Sequence, residues 1–232
     1  MQQPIHTIAP PADFEPLRIG EHPALDFLNS ILAPSGETID FLHNGTTFAR
    51  WLSHSGVVPD RVGAAAKAFT PQQLDRLAAE ARELREWFRK VVLRWQASDD
   101  GAVRPTDLDR LNVLLSKSSL TQAIERGRAG LELRARRALD VPHAVIAELA
   151  ATCADLLVDQ PHEDVRKCAN PPCTLLFADT KRGRRRRWCS MAVCGNRTKV
   201  AAHRARQQRQ TSGAADNTAT PLPKDPTKIR SA

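Results

Sequence analysis

The residues with the clearest chemistry in this chain are four cysteines near its C-terminal end: Cys168, Cys173, Cys189 and Cys194. They form two C-x4-C pairs with fifteen residues between them. Four thiolates suit tetrahedral zinc, an ion that accepts sulfur ligands and has no redox chemistry of its own. Four plain reduced thiols are the alternative without a metal, and an iron–sulfur cluster is the other metal reading. Four protein ligands leave no open coordination position, which marks a structural site rather than a catalytic one. His162 and His203 could each substitute for a ligand, but four thiols already close the site. The fifth cysteine, Cys153, falls on the apolar face of a helical pattern and reads as core.

Around the cysteines the chain is strongly basic. "KRGRRRR" spans Lys181 to Arg187, and Trp188 follows directly. Thirteen lysines and arginines face one acid, Asp179, between Arg166 and Arg209, a net +12; against a total of +8, the rest of the chain sums to −4. Such asymmetry points to an anionic partner, nucleic acid or a membrane surface. Helix signals resume at "NRTKVAAHRARQQRQ", where Asn196 can serve as the N-cap. On a helical wheel Thr198, Ala201, Ala202 and Ala205 form a small face that can sit against a hairpin. Lys199, His203 and Arg206 form the opposite stripe, and Arg197 and Arg204 line one flank. Clustered, preorganised cations are what phosphate binding requires. The candidate nucleic-acid contacts are therefore Arg184, Arg185, Arg186, Arg187, Arg197, Lys199, His203, Arg204 and Arg206. Trp188 either fills a mini-core or stacks on a base.

These residues need elements to position them. "TLLFADT" and "RRRRWCS" can form two strands, with "KRG" at the turn. A module of about 45 residues buries little core, so a metal must hold it, and zinc binding contributes roughly 10–16 kcal/mol in small zinc-finger peptides. Upstream, the sequence reads as helical. The pattern "GEHPALDFLNSIL" predicts a short helix with Leu25, Leu28 and Leu32 on one side, and "ETIDFL" a short strand. "TTFARWLSHSG" predicts a helix capped by Thr46 or Thr47 and stopped by Gly56. Thr70 and Pro71 open a long helix whose apolar face carries Leu74, Leu77, Ala81, Leu84, Phe88, Val91 and Trp95. A second helix opens at Pro105 and Thr106; "LTQAIERGRAGLELRARRAL" predicts a β-hairpin; "PHAVIAELAATCADLLVDQ" returns to helix with Val145, Leu149, Cys153, Leu156 and Leu157 inward.

The expected architecture is mainly α with a small β-hairpin. Residues 1–17 read as a mobile N-terminus, and 18–160 as a helical domain able to fold by itself. Residues 161–210 read as a treble-clef-like zinc module of hairpin plus helix, and 211–232 as a disordered tail. No apolar run approaches the roughly 18–20 residues of a membrane span. "MQQPIHTIAPPADFEP" has neither the basic nor the apolar region of a signal peptide, so the expected location is cytoplasmic, on the nucleoid when bound to DNA. An odd number of cysteines in such a compartment argues against a disulfide framework.

"WCSMAVCGNRTKVAAHRAR" resembles the signature of the CGNR zinc-finger family, named for Cys194, Gly195, Asn196 and Arg197. "GEHPALDFLNS" is similar to the Leu-Asp-Phe-x-Asn motif of the ABATE domain of bacterial stress-induced transcription regulators, with Ser30 where Thr is common. The resemblance covers about residues 18–209. It implies zinc at the four cysteines, DNA binding and transcriptional control.

Three function classes follow. The first is a zinc-containing DNA-binding regulator whose N-terminal domain senses a small-molecule signal or forms a homodimer. The second is an RNA- or ribosome-binding zinc protein. The third is an enzyme in the N-terminal domain, where Asp26, Asn29, Asp40, His43 and His54 show no nucleophile–base or metal spacing; the expectation is no enzyme. Asp26 and Asn29 are the candidate ligand-pocket residues, with helix capping or a buried hydrogen bond as their alternative.

Overall fold

The computed structural model describes residues 7–33, 37–117, 120–128, 130–138, 141–180, 186–201, 204 and 207. The architecture is mainly helical. In chain order the elements are β1 (Thr7–Ile8), α1 (Pro23–Leu28), β2 (Ile31–Leu32), β3 (Thr38–Asp40), α2 (Gly45–His54), α3 (Asp60–Ala66) and α4 (Pro71–Trp95). There follow α5 (Pro105–Leu115), the hairpin β4 (Leu120–Gly127) and β5 (Gly130–Arg137), α6 (His143–Asp159), β6 (Val165–Lys167) and β7 (Leu176–Ala178). A π-helical turn at Met191–Gly195 runs on as α-helix at 196–201.

The long helix α4 organises the rest. Thr70 accepts a hydrogen bond from Gln73 N while the Gln73 side chain accepts from Thr70 N, a reciprocal cap that satisfies two otherwise free donors. Leu77, Ala81, Leu84, Phe88, Val91 and Trp95 are buried as their spacing predicts. Against this face pack α1, α2 and α6. The α2 cap is Asn44 rather than Thr46 or Thr47: its Oδ1 accepts from Thr47 N at 3.0 Å. Gly56 follows α2 with φ +68°, a conformation that glycine adopts without strain. The pattern for α1 holds as far as Leu28; Leu32 instead lies in β2, paired to β3. Within α6, Leu157 is only half-buried while Cys153 is fully enclosed.

The N-terminal segment is tied down from Thr7 onward, against the expectation of a mobile 1–17. Thr7 and Ile8 pair in parallel with Thr38 and Ile39. Arg50 donates to the carbonyls of Pro11 and Ala12, and Phe14 lies 5.6 Å from Phe41, ring to ring. A buried ion pair fixes the sheet to α4: Arg85 donates to both carboxylate oxygens of Asp40, at 2.7 and 2.8 Å, and to Ser30 Oγ at 3.1 Å. Asp40 is therefore a structural anion.

The change of composition near residue 160 is not a break in the packing. Leu176 and Phe177 are fully buried in the same cluster as Leu25, Phe27 and Leu28 of α1. The predicted hairpin of "TLLFADT" with "RRRRWCS" is replaced by another. β7 pairs with β6, in register Val165 to Ala178 and Lys167 to Leu176. Residues 186–190 are not in a strand, and the "KRG" turn and the 211–232 tail lie outside the described residues. The pairing follows from burial: Val165 faces the core at 1% exposure, whereas a strand of four arginines could not. No helix among the described residues is long and apolar enough to cross a membrane.

Candidate metal centre

The β6–β7 hairpin carries the first cysteine pair at its loop. Cys168 N donates to Leu175 O and Cys173 N to Asn170 O, so "CANPPC" folds back on itself between the two strands. Of the second pair, Cys189 precedes the π-helical turn and Cys194 lies within it; Ser190 caps the turn by accepting from Val193 N at 3.4 Å. The two halves are laced together by Ala169 N donating to Arg187 O at 2.8 Å.

This brings Cys168, Cys173, Cys189 and Cys194 to one point, with all four sulfurs within 4.8 Å of one another. Cys173 Sγ lies 3.8 Å from Cys189 Sγ, which lies 3.5 Å from Cys194 Sγ. A tetrahedron with zinc–sulfur bonds of about 2.3 Å has edges of about 3.8 Å, so the donor set and its size fit a tetrahedral ion. Cys168, Cys189 and Cys194 are buried and Cys173 half-buried. The hydrogen bond from Cys189 holds the Cys173 thiol down to about 5, and the same contact with burial pushes the Cys189 thiol up. Four sulfurs at this spacing thus share protons that a metal displaces on binding. Two N–H groups support the sulfurs: Asn170 Nδ2 donates to Cys194 Sγ at 3.5 Å and Cys189 N to Cys168 Sγ at 3.4 Å. Such outer hydrogen bonds orient thiolates and offset their charge. The sequence reading missed Asn170, although a buried amide inside the first ligand loop is the group one would seek for that task.

Cys153 stands apart on α6, fully buried, and burial pushes its thiol well up. His162 lies beside Glu163, with Nδ1 3.2 Å from its carboxylate. His203 lies outside the described residues.

The arginines divide. Arg186 is spent inside the protein. Its guanidinium donates to Ile19 O at 2.9 Å, Trp188 O at 3.1 Å and Cys189 O, pairs with Glu21 at 3.1 Å, and stacks 4.3 Å over the Phe177 ring. Its own N–H donates to Asp179 at 2.8 Å. It ties the metal loops to the N-terminal segment, so it is corrected from a nucleic-acid contact to a clamp. Arg187 is exposed, 5.1 Å over the Trp188 ring, and Trp188 packs against the core cluster. Arg184, Arg185 and Arg206 lie outside the described residues. Arg197, Lys199 and Arg204 are exposed on the helix. Asn196 does not cap that helix: it has helical φ and ψ, and its Nδ2 donates to Ala192 O. Of the predicted small face, Ala201 is exposed and Thr198 half-buried, and Ala202 and Ala205 lie outside the described residues.

Asp26 and Asn29 serve the joint between the two halves of the chain. Asp26 Oδ1 accepts from Ile19 N at 3.0 Å and Gly20 N at 2.7 Å, while burial pushes its carboxyl up. Gly20 is needed here, since a Cβ would sit 2.7 Å from Leu25 Cβ, and its carbonyl accepts from Ala178 N. Asn29 is 1% exposed, and its carboxamide is taken up by the backbone of Leu176. Both side chains are thus engaged by backbone groups, which is the buried hydrogen-bond alternative to the ligand-pocket reading.

Two known families match the chain. The ABATE family, described as "Putative stress-induced transcription regulator", matches residues 21–160, more than half of the chain, and the chain belongs to that family. The CGNR zinc finger matches residues 165–207 and contains all four clustered cysteines. A comparison with curated proteins finds no match.

Proposed function

We propose that this chain is a zinc-containing transcription regulator that binds duplex DNA through its C-terminal module, with the N-terminal domain receiving a signal or joining two copies. The observation that carries the reading is a helix that starts on a metal ligand, Cys194, and presents exposed Arg197, Lys199 and Arg204. Four thiolates at tetrahedral spacing support zinc as the ion. Held there, the ion would fix the start of the helix relative to the core, and so would aim its cations before any DNA arrives. Preorganised cations displace counterions from phosphates, which makes binding fall steeply with salt. The test is a salt titration of the full chain on duplex DNA and on structured RNA, each with and without a chelator. The reading expects tighter, metal-dependent binding to DNA. Equal or tighter binding to RNA would replace it by the RNA-binding reading, and binding to neither would remove both.

A further inference from the structure

The β4–β5 hairpin turns its apolar side to water. Ile124 stands opposite Leu133 and Arg126 opposite Leu131, and alternate residues share a face, so Leu120, Ile124, Leu131, Leu133 and Ala135 lie on one side. The four large apolar side chains of that side are between 64% and 75% exposed. Ala123, Glu125 and Glu132 lie on the other side and are half-buried, with Glu132 paired to Arg134. Burial normally orders an antiparallel sheet the other way, apolar side in and polar side out. None of the described side chains of the hairpin belongs to the core cluster. A lone two-stranded hairpin is marginally stable at best in water and needs a packed face.

The chemistry of the face narrows what covers it. Single apolar side chains on a surface need no explanation, but a contiguous set marks an interaction site. Residues 211–232 contain two large apolar side chains, Leu222 and Ile229, among prolines and charges, too few to cover four. An identical face matches it in both size and character. Mating two copies of it would bury on the order of 1,000 Å² in total, about what a specific interface requires. Ile124 and Leu133, paired across the strands, would form its dry centre. Arg126, the one charged residue of that side with a described side chain, stands next to the turn, where its guanidinium can reach the wet rim. We propose that two copies of this chain join face to face through their β4–β5 hairpins, with Ile124 and Leu133 at the centre. A two-fold axis lets one patch serve both copies, and two sheets stacked about 10 Å apart bury both apolar sides. Joining two copies is one of the two roles proposed above for the N-terminal domain, and the consequence for DNA rests on that reading. Two metal-fixed helices in one particle raise the affinity for a duplex that carries two sites.

The experiment is sedimentation equilibrium of the full, metal-loaded chain, without DNA, over a range of concentrations. Expected is a particle of two copies. Ile124→Thr with Leu133→Thr keeps strand-forming character and alters no buried side chain. It should raise the dissociation constant by about a hundredfold, since symmetry counts each change twice. Helical dichroism and bound metal should stay at the parent's level. If the double variant loses helicity, Leu131→Gln alone decides, with an expected rise of about tenfold. A control, Val158→Thr, alters an apolar side chain that is 82% exposed on α6 and should leave pairing intact. A single copy at every concentration up to about 0.1 mM overturns the proposal and leaves the face to residues 211–232 or to another protein. Pairing unchanged by the hairpin variants, or lost equally with Val158→Thr, places the interface elsewhere and overturns it too. Because no DNA is present, failure here leaves DNA binding standing, and a chain that pairs without binding DNA leaves this result standing.

Discussion

Asn29 and Leu176, 147 residues apart, are joined like two strands of a sheet: Asn29 Nδ2 donates to Leu176 O at 2.8 Å, and Leu176 N donates to Asn29 Oδ1 at 2.9 Å. One side-chain amide thus satisfies both backbone groups of a fully buried residue, between α1 of the ABATE region and β7 beside the metal loops. Asn29→Leu should leave those two groups without partners and cost about 2–4 kcal/mol. Asn29→Asp should also be destabilising, because a carboxylate cannot donate to Leu176 O. Urea unfolding of each variant measures this; a loss below about 0.5 kcal/mol for Asn29→Leu would show that the joint carries little stability.

Arg186 and Arg187 are neighbours with opposite tasks. Arg186→Ala should lower stability by about 2–3 kcal/mol through lost charge-assisted hydrogen bonds. Arg187→Ala should leave the unfolding midpoint nearly unchanged and reduce the salt slope of DNA binding by about 1, one phosphate contact. Paired denaturation and salt titrations separate the two. An Arg186 variant of full stability but weaker binding would return it to the DNA face.

Metal removal should weaken the whole chain rather than the C-terminal module alone. Phe177 and Leu176 are packed into the helical core, and the strand that holds them ends in the ligand loops. In chelator, far-ultraviolet dichroism and tryptophan fluorescence should fall together at a lower temperature. Helical signal persisting at the original temperature, while fluorescence changes early, would show that residues 18–160 fold independently.

Asp26 should carry a pH signature. Burial raises its folded carboxyl above the ordinary 3.8, outweighing the N–H bonds from Gly20 and Ile19, so folding favours the protonated form. Its stabilising share is therefore full below 3.8 and is lost as pH rises through the raised value. Asp26→Asn keeps an oxygen acceptor without the charge, so its stability relative to the parent should rise across that window. Asp26→Ala should instead cost about 1–3 kcal/mol at every pH by losing both bonds. A parent–Asn difference that is flat or falling with pH contradicts this.

The cysteines should behave as four and one. Cys194→Ser should lower bound metal and loosen the module, whereas Cys153→Ser should leave metal content unchanged and cost about 1–3 kcal/mol as a hydroxyl replaces a thiol in a dry core. Elemental analysis of the purified variants checks it; unchanged metal after Cys194→Ser would sink the four-sulfur assignment.

Local chemistry alone was enough to read the set of four cysteines that cluster, the long helix and the β4–β5 hairpin. C-x4-C twice, a Thr-Pro start with apolar residues every three or four positions, and alternation around glycines each act within a few turns of chain. What the sequence could not reveal was who meets whom across long separations. Nothing beside Asn29 signals Leu176, and nothing beside Asp40 signals Arg85 of α4. Arg186 looks like its neighbours in a run of arginines, yet it reaches Ile19 O and the Phe177 ring while the next arginine, Arg187, is exposed. The same holds for β7, whose partner was expected after it in the chain and lies before it. Strand partners and buried polar contacts are decided by which apolar faces must be covered together, and that is a property of the packed tertiary structure, not of any window of sequence.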